Sequence, residues 1–212
     1  AWSPDNSKIA YYYAPANGEQ SIIFSSLDNK NKERIVNLAD FGIKNPTLHW
    51  SPDSEWLLVI PKNDGSSSNK IYLLNAYSKE FKAITEDGNV LDATFASDNN
   101  KILYSSYTRE TSPRISEILK DGSNNFEYDL NGEIKNISFM ADPKNILVAK
   151  SNTEGSSIFK FDLSGNAKKD FAINFSDGTR LSAVTTNKDD KIVIYTNDYG
   201  IFAIPMDQLV TK

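Results

Sequence analysis

One short pattern returns five times along the chain, and each return must be accommodated by the same local fold. It begins as Trp2-Ser3-Pro4-Asp5-Asn6-Ser7-Lys8-Ile9 and recurs as Trp50-Ser51-Pro52-Asp53-Ser54-Glu55-Trp56-Leu57. Weaker copies are Phe95-Ala96-Ser97-Asp98-Asn99-Asn100-Lys101-Ile102 and Phe139-Met140-Ala141-Asp142-Pro143-Lys144-Asn145-Ile146. The last, Thr185-Thr186-Asn187-Lys188-Asp189-Asp190-Lys191-Ile192, keeps only a polar turn and a closing aliphatic. The closing aliphatics at 9, 57, 102, 146 and 192 lie 48, 45, 44 and 46 residues apart. That period is the size of one four-stranded propeller blade.

The residues inside the pattern explain the turn. An aromatic ends one strand in each of the first four copies. Pro4 and Pro52 preset φ, and Asp5, Asp53, Asp98 and Asp142 can bond their own backbone further on. The chain then returns antiparallel, as a hairpin. Strands rich in Ile, Leu, Val, Tyr and Phe are expected after each turn, at 8–13, 56–61, 101–107, 145–150 and 191–196. The next strands fall at 21–27, 70–75, 114–120, 157–163 and 200–206, with turn signals such as Asn17-Gly18 and Gly155-Ser156 between. Weaker, more polar outer strands come next at 33–38, 80–85, 125–130 and 169–174, as solvent-facing edges require. No helix is expected.

The fold class predicted is therefore all-β: a β-propeller of four-stranded antiparallel blades, covering 1–212 as one domain. The blades divide at about 1–44, 45–88, 89–132, 133–178 and 179–212. Inner strands are expected at 46–50, 90–96, 134–140 and 180–186, whereas the first blade offers only Ala1 and Trp2. Its inner strand is expected upstream, and the last outer strand, 208–212, is short. A segment of a larger propeller is the expectation, ahead of a small closed five-bladed ring.

Trp-Ser-Pro-Asp, a polar link, Lys8-Ile9-Ala10-Tyr11 and a following apolar strand resemble the TolB-type β-propeller repeat. The resemblance covers all five copies. It is closest over 1–13 and 49–60, and fainter over 94–107, 138–151 and 183–197. It implies a propeller fold, a habit of binding proteins and an extracytoplasmic location in a bacterium, periplasmic or at the cell surface. It implies no substrate. The same repeat occurs in gating propellers of prolyl-oligopeptidase-like hydrolases, whose catalytic domain would lie outside this chain, and in periplasmic assembly proteins.

Candidate site residues come from the inner strands, because these line a propeller's central channel. Thr47 and His49 alternate with Leu48 and Trp50; Asp92 and Thr94 with Leu91, Ala93 and Phe95; Asn136 and Ser138 with Ile137 and Phe139. Strand side chains alternate with period two, so three blades present equivalent polar pairs. Ser182 is the expected continuation in the fifth. Two readings are open: Thr47, His49, Asp92, Thr94, Asn136 and Ser138 form a polar binding lining at the channel mouth, or they only bond neighbouring blades and water.

Other chemistry finds little support. With His49 as the one histidine and no cysteine, disulfides, thiolate metal sites and multi-histidine sites are excluded. There is no Gly-x-Ser-x-Gly elbow to raise a serine nucleophile. Asp189, Asp190 and Asp198 match no calcium-loop spacing. The expectation is a non-enzyme with no cofactor and no metal. The net charge of −5 and the four arginines, Arg34, Arg109, Arg114 and Arg180, disfavour nucleic acid. No apolar run is long enough to insert in a membrane. The partner expected is another protein, with a small molecule or glycan as the other class. The long polar loops at 62–69 and 108–113, and the rings of Tyr11, Tyr12, Tyr13 and Trp56, are possible contact elements.

Overall fold

A computed structural model describes the chain except residues 17, 29, 63–68, 87–88, 108–113, 129–132, 141–144, 153–154, 163–167, 176–179, 188 and 209–212. The loops at 63–68 and 108–113, the Asp142-Pro143 turn and most of the expected last strand at 208–212 therefore lie outside the described residues.

The described residues form five antiparallel sheets, each from consecutive strands. The first holds β1 (Lys8–Tyr13), β2 (Ser21–Ser26) and β3 (Lys32–Asn37). The second holds β4 (Thr47–Trp50), β5 (Trp56–Ile60), β6 (Tyr72–Asn75) and β7 (Phe81–Ala83). The third holds β8 (Asn89–Phe95), β9 (Lys101–Tyr107), β10 (Arg114–Leu119) and β11 (Phe126–Tyr128). The fourth holds β12 (Glu133–Phe139), β13 (Asn145–Asn152), β14 (Gly155–Asp162) and β15 (Lys168–Phe175). The fifth holds β16 (Leu181–Thr186), β17 (Ile192–Asn197) and β18 (Gly200–Pro205). Two short 3-10 turns, Leu38–Phe41 and Met206–Gln208, are the helical segments described.

Among the described residues the core is not one cluster but four slabs, one between each pair of successive sheets. Ala10, Ile22 and Phe24 meet Trp50, Leu57 and Val59 between the first and second sheets. Leu58 and Ile60 meet Ala93, Phe95 and Ile102 between the second and third. Leu103 and Ile115 meet Ile137, Ile146 and Val148 between the third and fourth. Leu147 and Ala149 meet Val184, Val193 and Tyr195 between the fourth and fifth. Adjacent residues of β5, β9 and β13 point to opposite slabs, because strand side chains alternate faces. Both faces are buried, so these strands read as continuous apolar runs rather than as apolar–polar alternation. This is how a propeller is made: wedges that bury their flanks against one another.

The Trp-Ser-Pro-Asp turns join the wedges as well as reversing the chain. Ser3 Oγ accepts from Lys8 N at 2.9 Å, and Ser51 Oγ accepts from Trp56 N at 2.9 Å. Asp5 accepts from Ser7 N, and Asp53 from Glu55 N, both at 3.0 Å. Asn6, Ser54 and Asn99 then take left-handed φ values of 59°, 62° and 58°, a conformation for which Asn is well suited. The side chains of Ser54 and Asn99 face the preceding turn. Ser54 Oγ accepts from Asp5 N at 3.0 Å, and Asn99 Oδ1 accepts from Asp53 N at 2.8 Å. The first turn is thus fastened to the second, and the second to the third, by one backbone N–H each.

The degenerate fifth copy has the same turn one residue out of the expected alignment. Asn187 N donates to Ile192 O, as Ser51 N does to Trp56 O, and Asp190 is the left-handed residue with φ 52°. Thr186, not Thr185, therefore occupies the place of Trp50. Val193, fully buried, closes the motif, while Ile192 is 36% exposed. The missing aromatic marker is what displaced the sequence alignment.

Tyr11, Tyr12 and Tyr13 separate as alternation requires. Tyr12 packs on the slab between the first two sheets, and Tyr13 is exposed. Trp56 packs against the next slab, with Lys82 and Lys120 ammonium groups over its ring.

Candidate functional site

The inner strands β4, β8, β12 and β16 bring polar side chains from four sheets to one place. A β-bulge sits at the same point in three of them. The pairing skips Leu91 in β8, Lys135 in β12 and Ser182 in β16. A bulge adds a residue and bends the strand, re-aiming the side chains beyond it. Asp92 and Asn136 come directly after the bulges and face the cavity shared by the inner strands. The bulge also resets the alternation. Val90, not Leu91, fills the slab, and Leu91 is 40% exposed. Plain alternation groups Leu91 with Ala93 and Phe95, and the bulge separates it from them. The expectation for Ser182 is corrected: as the bulged residue it is exposed and bonds Thr196, Oγ to Oγ1 at 2.8 Å, while Ala183 lines the cavity.

The side chains form a relay across the sheets. Asn136 Nδ2 donates to Asp92 Oδ2 at 2.7 Å, and Val184 N donates to Asn136 Oδ1 at 3.0 Å. Asp92 Oδ1 accepts from Ala93 N at 2.9 Å. His49 Nε2 lies 3.7 Å from Asp92 Oδ1, beyond hydrogen-bond distance. Ser138 Oγ donates to Thr185 Oγ1 at 3.3 Å. The hydrogen-bonded relay runs from the third sheet to the fifth, with His49 of the second sheet standing beside it.

These groups border a cavity of about 260 Å³. His49, Asp92, Thr94, Asn136 and Ser138 line it. Thr47 does not; it stands exposed at the start of β4. Thr185, Ile194 and Thr196 complete the wall from the fifth sheet. They were not anticipated from the sequence. Matching Thr186 to Trp50 would have placed Thr185 beside Ser138, but Ile194 and Thr196 belong to β17 and carry no signal.

The electrostatics are those of a partly dried pocket. His49 is 38% exposed, yet its Nε2 is shut off from solvent and lacks a hydrogen-bond partner among the described residues. Burial therefore lowers the His49 imidazole from its ordinary value, and the nearby Asp92 charge opposes that shift. Burial raises the Asp92 carboxyl above the usual carboxylate range, against the pull of His49, the Ala93 N–H and Asn136. The arrangement is suited to recognising a polar group. Among the described residues no group of three or more His, Asp or Glu is placed to hold a metal ion. No helix described is long and apolar enough to cross a membrane.

A family model described as the TolB beta propeller domain matches residues 1–209. Among solved structures, TolB from Acinetobacter baumannii aligns over 97% of this chain and 52% of its own, with a TM-score of 0.69 and 14% identity. Kuenenia stuttgartiensis hydrazine synthase aligns over 97% of this chain and 70% of its own, with a TM-score of 0.73 and 15% identity. The chain spans about half the length of the Acinetobacter protein. At these identities the likeness is one of fold. No curated protein sequence matches the chain at a significant level.

Proposed function

The chain belongs to the TolB β-propeller family, and from that premise we propose that it is a non-catalytic scaffold that binds another protein over the mouth of its central channel. The observation that carries this reading is the convergence of His49, Asp92, Thr94, Asn136 and Ser138 on one open cavity. Relay bonds occupy Asp92 and Asn136, while His49 Nε2 is left without a partner among the described residues. A cavity of about 260 Å³ is smaller than the roughly 300–1,000 Å³ of a typical small-molecule site. It fits a side chain presented by a larger partner. The extracytoplasmic location in this reading rests on the family resemblance.

The test is to fill the cavity. In the intact protein, Ser138→Trp should remove the cross-linked partner seen with the unmodified protein while leaving the melting temperature within a few degrees. Undiminished cross-linking by a folded variant would refute the channel mouth as the docking site. A second reading is the gating propeller of a larger prolyl-oligopeptidase-like hydrolase whose catalytic domain lies outside this chain; that an enzyme chain, hydrazine synthase, shares the fold is in keeping with a propeller serving an enzyme. Turnover by the intact protein that survives Ser138→Trp, with no partner captured, would favour it.

A further inference from the structure

Asp92 holds a carboxylate where little balances its charge. Its side chain is 21% exposed. Its oxygens receive one backbone N–H, from Ala93, and one neutral amide, from Asn136. The basic group that faces it is the His49 imidazole, 3.7 Å away, and burial biases that ring toward its neutral form. Among the described residues no lysine or arginine lines the cavity. A desolvated anion without a counter-ion is costly, and binding a cation relieves the cost.

The walls narrow the choice of cation. Thr94, Ser138 and Thr185 offer hydroxyl oxygens that can accept from N–H groups. Ala183 and Ile194, both half-buried, offer apolar surface against which a methylene stem can lie. The volume admits a head group and a short stem.

We propose that the cavity between the inner strands receives an organic cation with N–H donors, an alkylammonium or guanidinium group, with Asp92 as its counter-ion. This rests on the reading of the channel mouth as the docking site and names the chemistry the partner presents there. Anions are repelled by Asp92. Quaternary ammonium ions carry the charge but cannot donate to the hydroxyls.

Because His49 is the one histidine in the chain, its ring protons are a single proton NMR probe beside Asp92. The intact protein is titrated at constant ionic strength with propylammonium, ethylguanidinium, Nα-acetyl-lysine methylamide, tetramethylammonium and acetate. The expected result is a saturable shift of the His49 ring protons with the N–H cations and none with acetate. Tetramethylammonium should bind at least about tenfold more weakly, for want of an N–H to donate to the part-buried Asp92 carboxylate. Asp92→Asn should weaken the N–H cations at least about tenfold, since it removes one member of a desolvated charge pair. If that variant misfolds, Ser138→Trp leaves Asp92 in place and should abolish the shift by occlusion. Tighter binding of the capped lysine identifies a partner's side chain as the source, and tighter binding of propylammonium a free small cation. No saturable shift, an equal response to acetate, or undiminished affinity in folded Asp92→Asn would overturn the proposal. Should the cations fail while Ser138→Trp still removes partner cross-links, the docking reading survives and only the cation assignment falls.

Discussion

The second and fifth sheets grow from the same repeat, yet their surfaces differ. In β5, Leu57, Leu58, Val59 and Ile60 are at most 2% exposed, because one slab claims Leu57 and Val59 and the next claims Leu58 and Ile60. In the fifth sheet, Val193 and Tyr195 are buried toward the fourth. On the other face, Ile192 pairs across the strands with Pro205, Ile194 with Ala203 and Thr196 with Ile201. Ile201 is 77% exposed there, and Ala203 and Pro205 are also exposed. A blade's burial is therefore a property of its neighbours as much as of its own sequence. The second sheet is flanked on both sides, and among the described residues the fifth is buried from one.

The sharpest way to break this contrast is to truncate one residue in each sheet. Leu58→Ala should cost about 2–5 kcal/mol, as buried leucines do when they leave a cavity between packed layers. Ile201→Ala should stay within about 0.5 kcal/mol, as exposed substitutions do. Urea denaturation measures both, and equal costs would remove the distinction.

The turns give the next largest effect. Ser51 is fully buried, and Ser51→Ala strands Trp56 N, which should cost about 1–3 kcal/mol. Asn187 replaces that serine in the fifth copy, and its Oδ1 accepts from Lys191 N and Ile192 N at 2.7 and 2.9 Å. Water can reach this more open turn, so Asn187→Ala should cost less than about 1 kcal/mol. A larger loss at Asn187 would mean that the fifth turn is the better fastened of the two.

The link between turns is a smaller matter. Ser54→Gly keeps the left-handed backbone available but loses the acceptor for Asp5 N. It should cost about 0.5–1.5 kcal/mol, the worth of one hydrogen bond. Ser54→Ala should be worse still, because alanine also resists the positive φ. If glycine restored full stability, the link between the first and second sheets would carry no weight.

The smallest effect is set by pH. The Ser3 hydroxyl, then the Ser7 N–H and hydroxyl, hold the Asp5 carboxyl down at about 2, against 3.8 for a free aspartate. A lowered folded-state value stabilises the fold above the free value and is lost as pH falls toward the folded one. The contribution of Asp5 should therefore fade between about pH 4 and pH 2. Asp5→Asn should flatten that part of the acid limb in denaturation midpoints taken across the range. An unchanged slope would show that the exposed turn makes no net difference.

Much of this architecture was legible because its signals are local. Asn6, Ser54 and Asn99 mark left-handed turn positions by residue type, and the apolar runs of β5, β9 and β13 announce strands buried on both faces. The alternation that placed Asp92, Asn136 and Ser138 on the inner strands also brought them to one cavity. What the sequence hid was non-local or unmarked. A bulge has no residue signature here, since Leu91, Lys135 and Ser182 share no chemistry, so alternation alone groups Leu91 with Ala93 and Phe95 and continues the polar ring through Ser182. Thr186 stands where the other copies carry an aromatic, and the fifth alignment slipped by one. Thr196 and Ile194 line the cavity from the strand behind the inner one, on the face of β17 opposite Val193 and Tyr195, and no local pattern marks that placement.

The central claim is that successive repeats stand side by side, with their inner strands joined by the bond between Asp92 and Asn136. A double-mutant cycle across the third and fourth sheets tests it most directly. Asp92→Ala, Asn136→Ala and the double variant, compared by urea denaturation, should show a coupling of about 0.5–3 kcal/mol, as residues in contact do. Costs that add to within about 0.3 kcal/mol, as they do for distant sites, would contradict the account.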